Sequence, residues 1–281
     1  MLVVIAGVNH SLLAQNTIFW EKSLQNFWWQ ASLRIPDLRP DSTMVTLYPY
    51  DQIVDHDLGL AYPVNLIYFP EAQSQIPIRL PVSTLMPTDS NVQLILAQAK
   101  RKSNQYRVHK SIINYSNVLI LVQPTYDSCV RVVGGENSVI STDDPENIRK
   151  IVPFSKIENI RLWSDNHVPP KYAFGNEPSH TWCYFFEKAD LAVQRLDWES
   201  ASALGDQALA LGFNPMEPVE WFPFIQAYAM VGNQEKIEFI AVKATENIHF
   251  KNQVCDIFRK PRSALEPTLE MKALIEKLYC K

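Results

Sequence analysis

From Asn16 to Arg34 the chain carries no Gly or Pro, and Trp20, Leu24, Phe27, Trp28, Ala31 and Ile35 recur at helical spacing, the apolar stripe of an amphipathic helix. Pro36 ends that pattern, since its ring and missing N–H oppose a further turn. Beyond it the period shortens, with Pro or polar breaks between short apolar runs. Residues 43–48, 64–69, 76–80, 111–113, 118–123 and 129–133 are dense in Val, Ile, Leu, Thr and Tyr and predict strands. Val118–Val122 is apolar without alternation, as expected of a central strand buried on both faces. One helix interrupts the series: Asp89 or Ser90 caps it, Val92, Leu94, Ile95, Leu96 and Ala99 fill it, and Lys100, Arg101 and Lys102 close it at the negative end of its dipole. After a polar connection over 164–179 the chain reads as helical to its end.

The helical part repeats itself. Leu196–Ala201 aligns with Gly232–Ile237 at an offset of 36, which also relates Gly205 to Ala241 and Ala208 to Ala244. Two helix hairpins follow, with Asp197 and Asn233 as N-caps. Ala201, Gly205, Ala208, Ala241 and Ala244 are small enough for close helix approach. Trp221-x-x-Phe-Ile-x-x-Tyr228 has the spacing of the first tetratricopeptide helix, so the region resembles a tetratricopeptide pair. Ala192 stands where that pattern usually has a tyrosine, and the offset exceeds the roughly 34 residues of the family. Two units are fewer than a free solenoid needs, so they should lean on the β-rich part or on the last helix, whose apolar face is Met271, Leu274, Ile275 and Leu278. Burial of Trp198 between the hairpins would make Trp198→Ala cost about 3–5 kcal/mol.

Composition narrows the chemistry. A net charge of −4 and a pI near 5.9 give no electrostatic case for nucleic acid, and Lys100, Arg101, Lys102, Arg107 and Lys110 read as a solvated helix end. Eight glycines and the absence of G-x-G-x-x-G or G-x-x-x-x-G-K leave no phosphate cradle, so Gly134-Gly135 reads as a hairpin turn. No hydrolase, metalloprotease, redox or kinase signature occurs; the expectation is no enzyme and no cofactor. Asp51, Asp55, His56 and Asp57 form a weak candidate polar cluster in a loop, without the ligand pattern of a calcium loop. His180 and Cys183 are too few for zinc. Cys129, Cys183, Cys255 and Cys280 are scattered as free or semi-buried thiols are, and fix no compartment.

Met1–Val8 is apolar but far short of the roughly 20 residues that cross a bilayer. It lacks the basic flank of a signal peptide. It reads either as the distal stub of a membrane helix or as a buried first element. Trp20 and Trp29 fit a membrane–water boundary or a core; Trp28 reads as a core anchor.

The segments Phe27–Pro40, Tyr62–Tyr68, Ser128–Val133 and His180–Ala192 together resemble the soluble carboxy-terminal region of uncharacterised bacterial multi-spanning membrane proteins. In that family a β-rich region precedes tetratricopeptide-like helices. The resemblance implies membrane proximity through the N-terminus and an extracytoplasmic location, with the cytoplasm as the alternative. The expected fold is α+β: an N-terminal helix over 1–35, an antiparallel β-rich domain over 36–165 and tetratricopeptide-like α-helical hairpins over 166–281. The expected function is non-catalytic scaffolding that holds a protein partner or the rest of a membrane protein, through Trp198, Ala201, Gly205, Ala208, Trp221, Tyr228, Ala241 and Ala244. The alternative is an accessory domain of a membrane glycosyltransferase or glycan-handling system, with Tyr48, Tyr50, Tyr62 and Tyr68 as carbohydrate contacts.

Overall fold

The computed structural model describes residues 2–49, 57–71, 77–135, 138–243, 247–260 and 266–280, with the backbone alone at 2–9, 57, 58 and 106. The chain is a mixed α+β protein that starts with a helix and ends in helices. Helix α1 (Leu2–Arg34) is continuous through both patterns distinguished in the sequence. Its two halves differ: Leu12, Leu13, Ile18 and Phe19 are exposed, whereas Phe27, Trp28, Trp29 and Ala31 are core. Among the described residues no helix is long and apolar enough to cross a membrane.

The main sheet holds β1 (Thr43–Leu47), β3 (Ser83–Leu85), β6 (Val118–Val122) and β7 (Arg131–Val133) in the order β3-β1-β6-β7. β1 pairs in parallel with β3 and β6, and only β7 is antiparallel. An antiparallel β-rich domain therefore overstates the strand content. Parallel neighbours need long crossovers, and helices supply them. The first is α2 (Asp57–Tyr68), which replaces the strand predicted over 64–69. Leu60, Ala61, Val64, Ile67 and Tyr68 are all buried at helical spacing, and a short apolar run looks the same in a buried helix as in a strand. The amide of Asn65 fixes α2 to the sheet. Its Nδ2 donates to the carbonyls of Ala61 at 2.7 Å and Val82 at 2.8 Å, and its Oδ1 accepts from Val82 N at 3.0 Å.

The second crossover, from β3 to β6, runs through α3 (Asp89–Leu96), β4 (Lys102–Tyr106) and β5 (His109–Ile113), and these two strands form a small sheet, in the order β2-β5-β4, with β2 (Ile78–Arg79) from the first crossover. Thr88, one residue earlier than expected, caps α3 by accepting from Asn91 N. The basic residues do not close this helix: Lys102 opens β4. All five residues of β6 are buried, as expected, because both faces are covered. Met44, Leu119 and Leu121 face α1 and α2, while Val45, Ile120 and Val122 face α3 and α4 (Glu146–Ile151). Burying each such side chain contributes about 1.5–3 kcal/mol. Gly134 and Gly135 are no hairpin turn. They have positive φ and sit so near Ser155 and Ile157 that a Cβ at Gly134 would lie 2.4 Å from the Ser155 Cβ.

After the short α5 (Lys171–Phe174), the helical layer comprises α6 (Trp182–Gln194), α7 (Trp198–Ala210), α8 (Phe222–Val231), α9 (Gln234–Lys243), α10 (Ile248–Arg259) and α11 (Leu269–Tyr279). The expected caps are present: Asp197 accepts from Ser200 N at 3.1 Å and Asn233 from Lys236 N at 3.1 Å. The expected free thiols are not. Cys129 is bonded to Cys183 and Cys255 to Cys280, pairings that sequence spacing alone does not encode.

Candidate functional site

Small residues on α7 set the position of α8. Ala201 and Ala208 are fully buried, and a Cβ at Gly205 would meet Tyr228 Oη at 2.6 Å and Phe224 Cδ1 at 2.7 Å. Tyr228 donates to Asp206 Oδ1 at 2.9 Å, so its hydroxyl is satisfied at the rim of this contact. Trp221, Tyr228 and Ala241 share the same core. The expected cluster is thus brought together around Gly205, but as packing. Trp198 departs from expectation. It is half-buried, at the edge of that core, and lines a cavity. Ala244, Asp51, Asp55, His56 and Tyr50 lie outside the described residues, and Asp57 is described only as the first backbone position of α2. Of the other tyrosines, Tyr68 is buried and donates to Ile35 O, Tyr48 packs on Phe27, and Tyr62 faces His109 Nδ1 at 3.0 Å. The zinc reading of His180 and Cys183 fails because the Cys183 sulfur is in a disulfide.

The cavity occupies about 280 Å³ where β7 faces α6, α7 and α8. Phe186, Val193, Trp198, Val219 and Phe222 give it apolar surface, and on α6 and α8 these residues alternate with polar ones. The polar lining comes from distant parts of the chain. Arg34, the last residue of α1, is ion-paired with Asp190 on α6 and donates to Gln194 Oε1 at 2.7 Å. Arg131, the first residue of β7, is paired with Asp144 and lies 3.7 Å from Glu217 Oε2. Gln226 projects from α8, a helix otherwise apolar. Arg131 is 5% and Gln226 4% exposed. Among the described residues nothing hydrogen-bonds Arg131 Nε or Gln226 Oε1. Buried polar atoms are seldom left so, because each costs about 1–3 kcal/mol.

Three more carboxyls lie within electrostatic reach of Arg131. Glu220 accepts from Cys129 N at 2.8 Å and Met216 N at 3.2 Å. Burial nevertheless pushes its pKa up to about 7 against those bonds. Glu187 is wholly buried, and neither oxygen has a hydrogen-bond partner among the described residues. Burial, and then the charge of Asp190, raise its pKa well above the usual range, with Arg34 opposing. Burial likewise raises Glu217 against the pull of Arg131. The neutral acids thereby favoured lower the cost of packing the helical layer on the sheet.

A second cavity of similar volume lies between α1, α6 and the chain near His167. Its chief donors are already engaged: Trp29 Nε1 donates to Phe174 O at 3.0 Å and Arg195 Nε to Leu162 O at 2.8 Å. The junction cavity is therefore the stronger candidate. Sequence reasoning missed it because Arg34, Arg131, Asp190, Gln194 and Gln226 form no local motif. The one available signal was a lone glutamine within the apolar run Trp221–Val231. Comparison with known proteins finds no matching family model, no similar curated protein and no similar solved structure.

Proposed function

We propose that the chain is a non-catalytic binding and scaffolding domain of a membrane-anchored bacterial envelope protein, held at an extracytoplasmic membrane surface through α1. The observation that carries this reading is the division of α1 into a core half and an exposed half bearing Leu12, Leu13 and Ile18. No Asp, Glu, Lys or Arg precedes Glu21, so entry of this half into an apolar phase meets little charge penalty. The two disulfides support the location, since such bonds persist in oxidising compartments.

In the same reading α6–α9 are a tetratricopeptide-like pair, supported by the Asp197 and Asn233 caps and the close approach at Gly205. Phe186 and Phe222, on the first helix of each hairpin, line the same cavity as β7 of the same chain. The repeat accordingly scaffolds its own α/β layer, and recognition of a partner falls to α1 and to the junction cavity. A second reading, an accessory domain for glycan handling, is favoured by the mixed aromatic and polar lining of that cavity.

Flotation of the purified full chain with phosphatidylcholine vesicles tests the anchoring. The wild type is expected to rise with the vesicles, and a variant combining Leu13→Glu and Ile18→Glu to remain at the bottom with unchanged circular dichroism. A wild type that stays at the bottom refutes attachment through α1.

A further inference from the structure

We propose that Cys255, Cys280 and Glu276 form a zinc site that exists only while the Cys255–Cys280 disulfide is reduced, so that metal and oxidant compete for the same two sulfur atoms. Such a site needs neither attachment through α1 nor a ligand in the junction cavity. Helices α10 and α11 are joined by two rungs. Cys255 on α10 is bonded to Cys280, the residue that caps α11. One turn further along α10, Arg259 donates from Nε to Glu276 Oε2 at 3.0 Å and pairs a second nitrogen with Oε1. Glu276 stands four residues before Cys280, a spacing that puts both on one face of the helix.

The two sulfur atoms and a carboxylate oxygen of Glu276 all lie within 4.8 Å of one another. Ligand atoms held tetrahedrally at about 2.0–2.3 Å from one zinc ion sit roughly 3.3–3.8 Å apart, a separation that side-chain rotation reaches once the sulfur–sulfur bond is broken. Water completes the four. Packing holds the ligands near one another without that bond: Phe250, Val254 and Ile257 of α10 and Met271, Ile275 and Tyr279 of α11 share one buried cluster, and Tyr279 donates to Ile237 O at 3.2 Å. Cys255 is buried, Cys280 is partly exposed and the Glu276 side chain is half exposed, so a reductant and a hydrated ion approach from the α11 side. Two soft thiolates select zinc over magnesium or calcium, which prefer oxygen alone. In the redox step a dithiol reductant gives two electrons and two protons to the disulfide and itself becomes a disulfide, leaving Cys255 and Cys280 as thiols. Zinc then displaces the two thiol protons, and Glu276 exchanges Arg259 for the ion. A disulfide oxidant reverses the sequence: it leaves as a dithiol, the Cys255–Cys280 bond re-forms and zinc departs.

The test uses the full chain, reduced with a phosphine that leaves as its oxide, freed of reagent without oxygen, and titrated with cobalt(II) and then zinc. The reduced chain is expected to bind one cobalt ion with sulfur-to-metal absorption and the intense visible bands of tetrahedral cobalt, both abolished by zinc. Zinc should also raise its thermal unfolding midpoint, while the oxidised chain responds to neither metal. Replacing Cys255 and Cys280 together with serine should remove the absorption. Glu276→Gln should weaken zinc binding by about tenfold or more, whereas Arg259→Gln, which breaks the same ion pair but spares the carboxylate, should leave it as tight or tighter. Cobalt bound without sulfur-to-metal absorption, or equally by the oxidised chain, would be held by surface carboxylates and overturns the proposal. So does absorption that survives loss of Cys255 and Cys280, which would come from the other cysteine pair. Equal weakening by Glu276→Gln and Arg259→Gln would confine Glu276 to fixing the helices, and a reduced chain that binds no metal, whether or not circular dichroism shows it folded, refutes the site outright.

Discussion

In the α/β layer, aliphatic side chains line both faces of β1 and β6, whereas the helical layer sets the rings of Trp182, Trp221, Phe224 and Tyr228 against Ala201, Gly205 and Ala208. The first arrangement sets aliphatic strand residues on a hydrogen-bonded frame, against aliphatic side chains on one face and against a cluster that includes Phe27, Trp28 and Tyr68 on the other. The second depends on pairing the bulkiest residues with the smallest. Both disulfides also reach the helical layer: one lies wholly within it, and the other ties Cys183 of α6 to Cys129 ahead of β7. Few stacked helices bury too little surface to stand alone, and covalent links answer that shortage. The contrast teaches that one layer should tolerate conservative changes while the other responds to shape and to redox state.

The strongest challenge to this contrast is a change of volume. Phe224→Ala should destabilise the fold by about 3–5 kcal/mol through a cavity beside Gly205, while Leu119→Met should cost under about 1.5 kcal/mol. Urea unfolding decides it: equal costs would erase the distinction. Next comes the Cys255–Cys280 bond, which closes a segment of 25 residues. Replacing both cysteines with serine should remove about 3 kcal/mol. Hydrogen exchange should locate the loosening in α10 and α11; equal loosening of β6 would mean that the layers are one cooperative unit.

The smallest effect concerns protons at the boundary. Glu220 binds its proton more tightly in the folded chain, with a pKa of about 7 against an ordinary value near 4.5. Between those values the folded state holds more protons than the unfolded state, so stability falls as pH rises from about 4.5 to about 7. The fall is at most about 3 kcal/mol. Glu220→Gln should flatten that part of the curve. An unchanged slope would assign the effect to Glu187 or Glu217 instead.

Much of this division was legible in the sequence, for definable reasons. Val118–Val122 announces a central strand because no polar residue interrupts it, and Asp197 and Asn233 announce helix starts because caps are local chemistry. The run 64–69 misleads because a helix buried against both α1 and the sheet lacks a polar face. The cysteine pairs stay hidden because they join residues 54 and 25 positions apart, a distance only the fold closes. The repeat residues were found but their role shifted. Ala201, Gly205 and Ala208 serve an internal contact, and among the described repeat residues only Trp198 reaches the cavity. The polar lining needs α1, β7, α6 and α8 to be assembled before Arg34, Arg131, Asp190 and Gln226 meet, so no window of sequence contains it.

Helix α1 runs without a break from its solvent-facing front to the residue that grips Asp190. A rod of 33 residues is roughly 50 Å long at helical rise, and it includes no hinge. The front of the helix and the body therefore keep one bearing relative to each other, as a handle and its tool do, and the junction cavity shares it. Inserting a single alanine near Gln15 would swivel the body by about 100°, turning orientation itself into a quantity that can be dialled.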